Sequence, residues 1–95
     1  MPRSTGLLNG LIDDLKPIVR NMPMQSFEFG KSGGFTFTLA DGQVWQQATE
    51  DEVYHPARWR KQPAEMLVTI TPAVMHTFNM KVEGESKSYK VRRIR

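Results

Sequence analysis

The side chains able to do chemistry are few and scattered. His55 and His76 fall in different segments, with no His-Glu-x-x-His or His-x-His spacing to set two imidazoles on one metal. The chain has no cysteine, so thiolate metal sites and disulfides are excluded, and a zinc site would need carboxylates from separate loops. His76 sits in an apolar alternation and reads as a core histidine, whereas His55 precedes Pro56 and reads as loop. Ser26, Ser32, Ser86 and Ser88 lie in turns or at strand ends, without the Gly-x-Ser-x-Gly elbow that exposes a nucleophile. Glu50, Asp51 and Glu52 are consecutive and are expected to be solvated; nothing near them separates their pKa values as acid–base catalysis requires. Lys31-Ser32-Gly33-Gly34 is too short for a phosphate loop and lacks its helix. The pattern points to a protein that is not an enzyme and carries no cofactor or metal.

Binding chemistry has more to work with. Tyr54 and Trp59 come from one long polar stretch, and Trp45, Phe78 and Tyr89 stand ready to line a wall beside them. An aromatic groove of that kind suits an extended, Pro-rich or β-strand peptide. The competing role for the same residues is packing, with Trp45 and Phe78 in the core and Trp59 plugging a barrel. A second set joins Arg58, Arg60 and Lys61, around Trp59, to the terminal Arg92, Arg93 and Arg95. Cations beside a stacking aromatic are how small barrels hold single-stranded nucleic acid. The acidic run at 50–52 and a net charge of only +3 weigh against that set. The first reading is therefore a protein- or peptide-interaction module, and the alternative is single-stranded nucleic-acid binding.

These residues must be positioned by mainly β structure. Leu7, Leu8, Leu11, Ile12, Leu15, Ile18, Val19 and Met22 recur at steps of three and four, the stripe of an amphipathic helix. The spacing predicts a helix over about residues 5–16, a kink at Pro17 with a second turn to Asn21, and an end at Met22-Pro23-Met24. With two acids, two bases and no aromatic, that helix is not of the membrane-surface type; it covers the barrel or mediates a homodimer. Residues 1–24 are thus helix and connector, and residues 25–95 a single β-domain.

From Gln25 the period becomes two. Phe27 and Phe29 alternate with polar neighbours, as do Phe35, Phe37 and Leu39. Between Leu39 and Gln43 the residues Ala40-Asp41-Gly42 suit a three-residue hairpin with Gly42 in the left-handed position. That register sets Phe37 opposite Trp45 and Phe35 opposite Gln47, turning Trp45 to the apolar side. Residues 49–65 read as a loop with one helical turn. Strand character returns at Met66, Val68 and Ile70, then, after a break at Thr71-Pro72, at Val74, His76, Phe78, Met80 and Val82, and finally at Tyr89 and Val91. Five or six short antiparallel strands with tight turns hide their edges best by closing, so an SH3-like or OB-like barrel, or a strongly curved sheet, is expected with the helix against it.

At 95 residues there is room for one core, and 39% hydrophobic residues with clear patterning suffice to build it. No apolar run approaches the roughly 20 residues of a membrane span, and residues 1–15 do not read as a signal peptide, which makes a cytoplasmic protein the expectation.

Phe37-Thr38-Leu39-Ala40-Asp41-Gly42-Gln43-Val44-Trp45-Gln46-Gln47 resembles an F-x-L-x-N-G-Q-x-W-x-Q segment of small proteobacterial proteins of unknown function. Val68-Thr69-Ile70, Thr77-Phe78 and Tyr89-Lys90-Val91-Arg92-Arg93-Ile94 resemble the remainder of that pattern, which closes on V-R-R-I. The likeness spans about residues 34–94. It departs at Asp41, where Asn is usual, and at His76-Thr77-Phe78, where Gly-Ser-Tyr is usual. It implies a small β-barrel-like bacterial domain and no particular activity.

Overall fold

The computed structural model describes residues 16–31, 33–52, 57–73 and 77–95. The helix expected over about residues 5–16 falls almost wholly outside them, as do Tyr54, His55 and His76.

Six antiparallel strands form a closed barrel in the order β1-β2-β3-β6-β5-β4. They are β1 (Val19–Phe29), β2 (Phe35–Leu39), β3 (Val44–Gln47), β4 (Leu67–Pro72), β5 (Phe78–Val82) and β6 (Tyr89–Arg93). Two three-stranded meanders are joined at both seams, by β1 with β4 and by β3 with β6. A short helix α1 (Thr49–Glu52) and a 3-10 turn (Pro63–Glu65) lie in the long connection from β3 to β4.

The stretch at 19–24, expected as a helical turn and connector, is strand instead. The reason is local. Val19 lies opposite Ile70 and Met22 opposite Val68, so an extra residue is inserted between them. Such a bulge converts an alternation of two into a step of three, which imitates helical spacing. Asn21 absorbs the kink with φ +46°, a conformation Asn tolerates. Its N–H donates to Thr69 Oγ1 at 3.1 Å, and the Thr69 hydroxyl donates back to Asn21 Oδ1 at 3.3 Å. A second irregularity at Gln25 bends β1 again, which lets one strand of eleven residues serve two neighbours around the barrel.

The β2–β3 hairpin forms as expected. Leu39 N–H donates to the Gln43 carbonyl at 2.8 Å, Gly42 has φ +94°, and Phe37 lies opposite Trp45. Asp41 braces the turn by accepting from the Gln43 amide N–H at 3.1 Å and from its side-chain Nε2 at 2.7 Å. These bonds, the side-chain one foremost, hold the Asp41 carboxyl below its ordinary pKa. Inward residues fill the lumen: Phe35, Phe37, Leu39, Trp45, Val68, Ile70, Met80, Tyr89 and Val91 are all buried.

Candidate functional site

The two ends of this barrel differ. One mouth is formed where β1, β3 and β5 end and β2, β4 and β6 begin, and the β3–β4 connection passes across it. In that connection Trp59 is only 8% exposed. Its ring sits 4.5 Å from Phe35, 5.2 Å from Phe27, 5.7 Å from Phe29 and 5.9 Å from Tyr89 between centroids. The edge-on packing on Phe27 and Tyr89 is the favoured arrangement of aromatic quadrupoles. Among the described residues, no backbone hydrogen bond ties 57–61 to the rest of the chain. Trp59 therefore holds this strap in place, and it does so as a plug.

The plug decides where its neighbours go. With Trp59 turned into the barrel, Arg58, Arg60 and Lys61 are left exposed. They wall a groove of about 250 Å³ whose far side is the β5–β6 turn, Glu83 to Glu85. None of the three makes an ion pair or a hydrogen bond among the described residues. Arg58 also borders a second depression beside Lys87 and Tyr89, so it is the cation shared by both. Phe29, 42% exposed, adds an apolar edge to the same mouth.

Below the plug lies a polar cluster. Tyr89 is buried, and its hydroxyl donates to Glu85 Oε1 at 3.1 Å. Burial first, and then the neighbouring Glu85 carboxylate, push the phenol up to about 12. The nearby Trp59 indole pulls to a smaller extent in the other direction, yet its N–H meets no acceptor at hydrogen-bond geometry. Asp51 was expected to be a solvated member of an acidic run; it is 4% exposed and accepts from Gln47 Nε2 at 2.7 Å. The cause is α1, which turns the 50–52 run so that Asp51 faces the end of β3.

The structure thus redistributes the residues singled out by sequence. Trp45 is core, whereas Trp59 and Tyr89, though buried, each contribute to the wall of one depression at the plugged mouth. Phe78 is half-buried with its ring edge-on to Trp45 at 5.1 Å, near the opposite mouth. The Trp45 indole N–H is satisfied by Gln43 Oε1 at 3.0 Å. Alternation forces this: once Phe35 and Phe37 line the lumen, their cross-strand partner Trp45 must face it too. Tyr54 lies outside the described residues. The six cations, Arg95 at the end of the chain among them, do not form one site. Arg58, Arg60 and Lys61 ring the plugged mouth, Arg92 lies on the outer face of β6 bonded to Gln46, and Arg93 ends β6 near Asp41. Phe29 and Asp51 are the residues sequence reasoning missed; the Phe27–Phe29 alternation signalled only the first.

Among the described residues no three of His, Asp and Glu gather as metal ligands, and no helix is long and apolar enough to cross a membrane. No family model, curated protein or solved structure matches the chain.

Proposed function

We propose that this protein is a non-enzymatic interaction module that holds an acidic segment of a protein partner against its plugged mouth. The observation that carries the reading is the strap: three exposed cations, without ion-pair partners among the described residues, wall one groove beside an exposed Phe29. An acidic stretch with one apolar side chain complements the strap side of that groove, while Glu83 and Glu85 on the far side confine the acidic contact to the strap cations. Charge attraction would speed the encounter, and the apolar contact would slow release. A folded, buried Trp59 makes the surface preorganised, which limits the entropy lost on binding.

Single-stranded nucleic acid fits this mouth less well. Stacking of successive bases needs several accessible ring faces, and with Trp59 and Tyr89 inside only Phe29, among the described residues, is left to offer one. The reading includes a cytoplasmic setting and an OB-like variant of the barrel. In support of the latter, β1 neighbours both β2 and β4, and the β3–β4 connection covers one mouth.

The test is fluorescence anisotropy with a labelled twelve-residue peptide of Asp and Glu bearing one central Phe. Its Asn/Gln counterpart is the control. Binding of the acidic peptide alone, weakened by at least tenfold in Arg58→Glu/Arg60→Glu with an unchanged circular dichroism spectrum, supports the reading. Equal binding of both peptides, or indifference to the double variant, removes it.

A further inference from the structure

A second surface, on the outside of the barrel wall, does not depend on the mouth. The strands β3, β4, β5 and β6 contain no acidic residue at all. Because side chains alternate in and out, the outward positions of these strands can be read from the register. Gln46 lies opposite Arg92, Lys90 opposite Asn79, Asn79 opposite Thr71, and Lys81 opposite Thr69. Lys81, Lys90 and Arg92 are exposed. Lys90 and Arg92, two positions apart on β6, are spaced by roughly 6.6 Å. Lys81 on the adjacent strand stands on a diagonal to Lys90, roughly 7–8 Å away. Arg92 is oriented by its bond to Gln46 Oε1 at 3.1 Å, and a depression of about 170 Å³ opens beside Lys90 and Arg92, with Thr49 and one carboxylate, Glu50 of α1, on its wall.

The face therefore presents three cations set among amide and hydroxyl groups, with no carboxylate on its strands. That composition is the one that contacts phosphate and sugar: Lys and Arg for charge, with Ser, Thr, Asn and Gln for hydrogen bonds. A lipid headgroup layer suits it less, because the one large exposed apolar side chain beside it, Ile94, lies past the end of β6 and outside the span of Lys81 and Lys90. A duplex also suits it less. The barrel wall is convex, and so is a rod with a persistence length of about 50 nm, so the two touch over few phosphates. A flexible single strand can follow the curve. We propose that this outer face binds the sugar-phosphate backbone of a single-stranded nucleic acid, through Lys81, Lys90 and Arg92. The aromatics of β3, β5 and β6 are buried or half-buried, so no base is stacked and the binding is indifferent to sequence.

Three phosphate contacts on a single strand set a slope of about −2 for log affinity against log salt, so binding falls roughly 20-fold from 50 to 200 mM NaCl. The full chain is titrated into fluorescein-labelled (dT)20 at both concentrations. The expected result is that slope, a loss of at least tenfold in Lys81→Glu/Lys90→Glu, and a slope shallower than −1 in the milder Lys81→Gln/Lys90→Gln. Circular dichroism confirms that the variants fold, and Arg58→Glu/Arg60→Glu binds (dT)20 as the parent does. Three results overturn the proposal: no binding at 50 mM NaCl, an equal loss in the Arg58/Arg60 variant, or capture by phosphatidylserine vesicles without binding to (dT)20. Because the mouth is probed with an acidic peptide and this face with (dT)20, the two readings fail separately.

Discussion

Replacing Trp59 with alanine withdraws the side chain that pins the 57–62 strap to the barrel. Four rings lie within 6 Å of it, and 92% of its surface is out of water, the complement of its 8% exposure. Truncating a core tryptophan costs about 3–5 kcal/mol, the upper part of that range where the cavity cannot collapse. Here the seat is built by Phe35 and Tyr89 on rigid strands, so collapse is limited. The loss compares with a total stability of roughly 5–14 kcal/mol for a chain of this length. At a urea m-value of about 1–2 kcal/mol/M, the midpoint falls by roughly 1.5–5 M. Trp59→Phe is the informative partner. It keeps a ring on the seat and removes a buried N–H that has no acceptor, a group that costs about 1–3 kcal/mol to leave unsatisfied. Its loss is therefore only about 1 kcal/mol, well short of the alanine loss. The assay is urea unfolding followed by circular dichroism, with m-values fitted freely. A Trp59→Ala loss under about 1 kcal/mol at constant m would refute the plug, because a residue that closes a mouth cannot be removed so cheaply.

Tyr89 links pH to the same mouth. Its folded pKa, raised from 10.0 to about 12, means its contribution is fully present below pH 10 and is lost as pH rises through 12. In a Tyr54→Phe background, absorbance at 295 nm should show the remaining tyrosine titrating near the alkaline unfolding transition, and Tyr89→Phe should flatten the loss of stability between pH 10 and 12. Asp51→Ala removes a buried carboxylate that accepts from Gln47, and should cost about 1.5–3 kcal/mol in urea unfolding. Gly42→Ala meets open space but forces φ +94° on a residue with a Cβ, so a loss of about 1–2 kcal/mol without change of fold is expected by the same assay.

Legibility followed the range of the physics involved. The β2–β3 hairpin was readable because a three-residue loop and an alternating apolar set determine the register between them, and Trp45 went inward as a result. Closure into a six-stranded barrel was readable only as a need to hide edges, since the pairing of β1 with β4 and β3 with β6 is non-local. The start of β1 was not readable. Its bulge places Val19 and Met22 three apart, in step with the helical spacing of the apolar residues that precede them in the sequence. Burial of Asp51 was equally hidden, because an acid between two acids reads as solvated until α1 turns it against Gln47. The split of the cations followed from the same gap: Arg58 and Arg92 are near each other in character but belong to different surfaces.

One device accounts for both proposed surfaces. Among the described residues both tryptophans and most large apolar side chains are inside, Phe29 at the mouth being an exception, so neither site is built by exposing a tryptophan. What remains for recognition is whatever alternation leaves outside. On β5 and β6 the inward Met80, Val82, Tyr89 and Val91 force Lys81, Lys90 and Arg92 outward. In the strap the inward Trp59 forces Arg58 and Arg60 outward in the same way. The core therefore sets the positions of the cations without touching them. It follows that Trp59→Ala should abolish binding of the acidic peptide even though it keeps all three strap cations, because an unseated strap no longer presents them on one groove. Binding of (dT)20 by the outer wall should survive in the folded fraction of that variant. A Trp59→Ala protein that is folded at 10 °C and still binds the acidic peptide at parental affinity would show that net charge alone, and not the seating of the strap, creates the site.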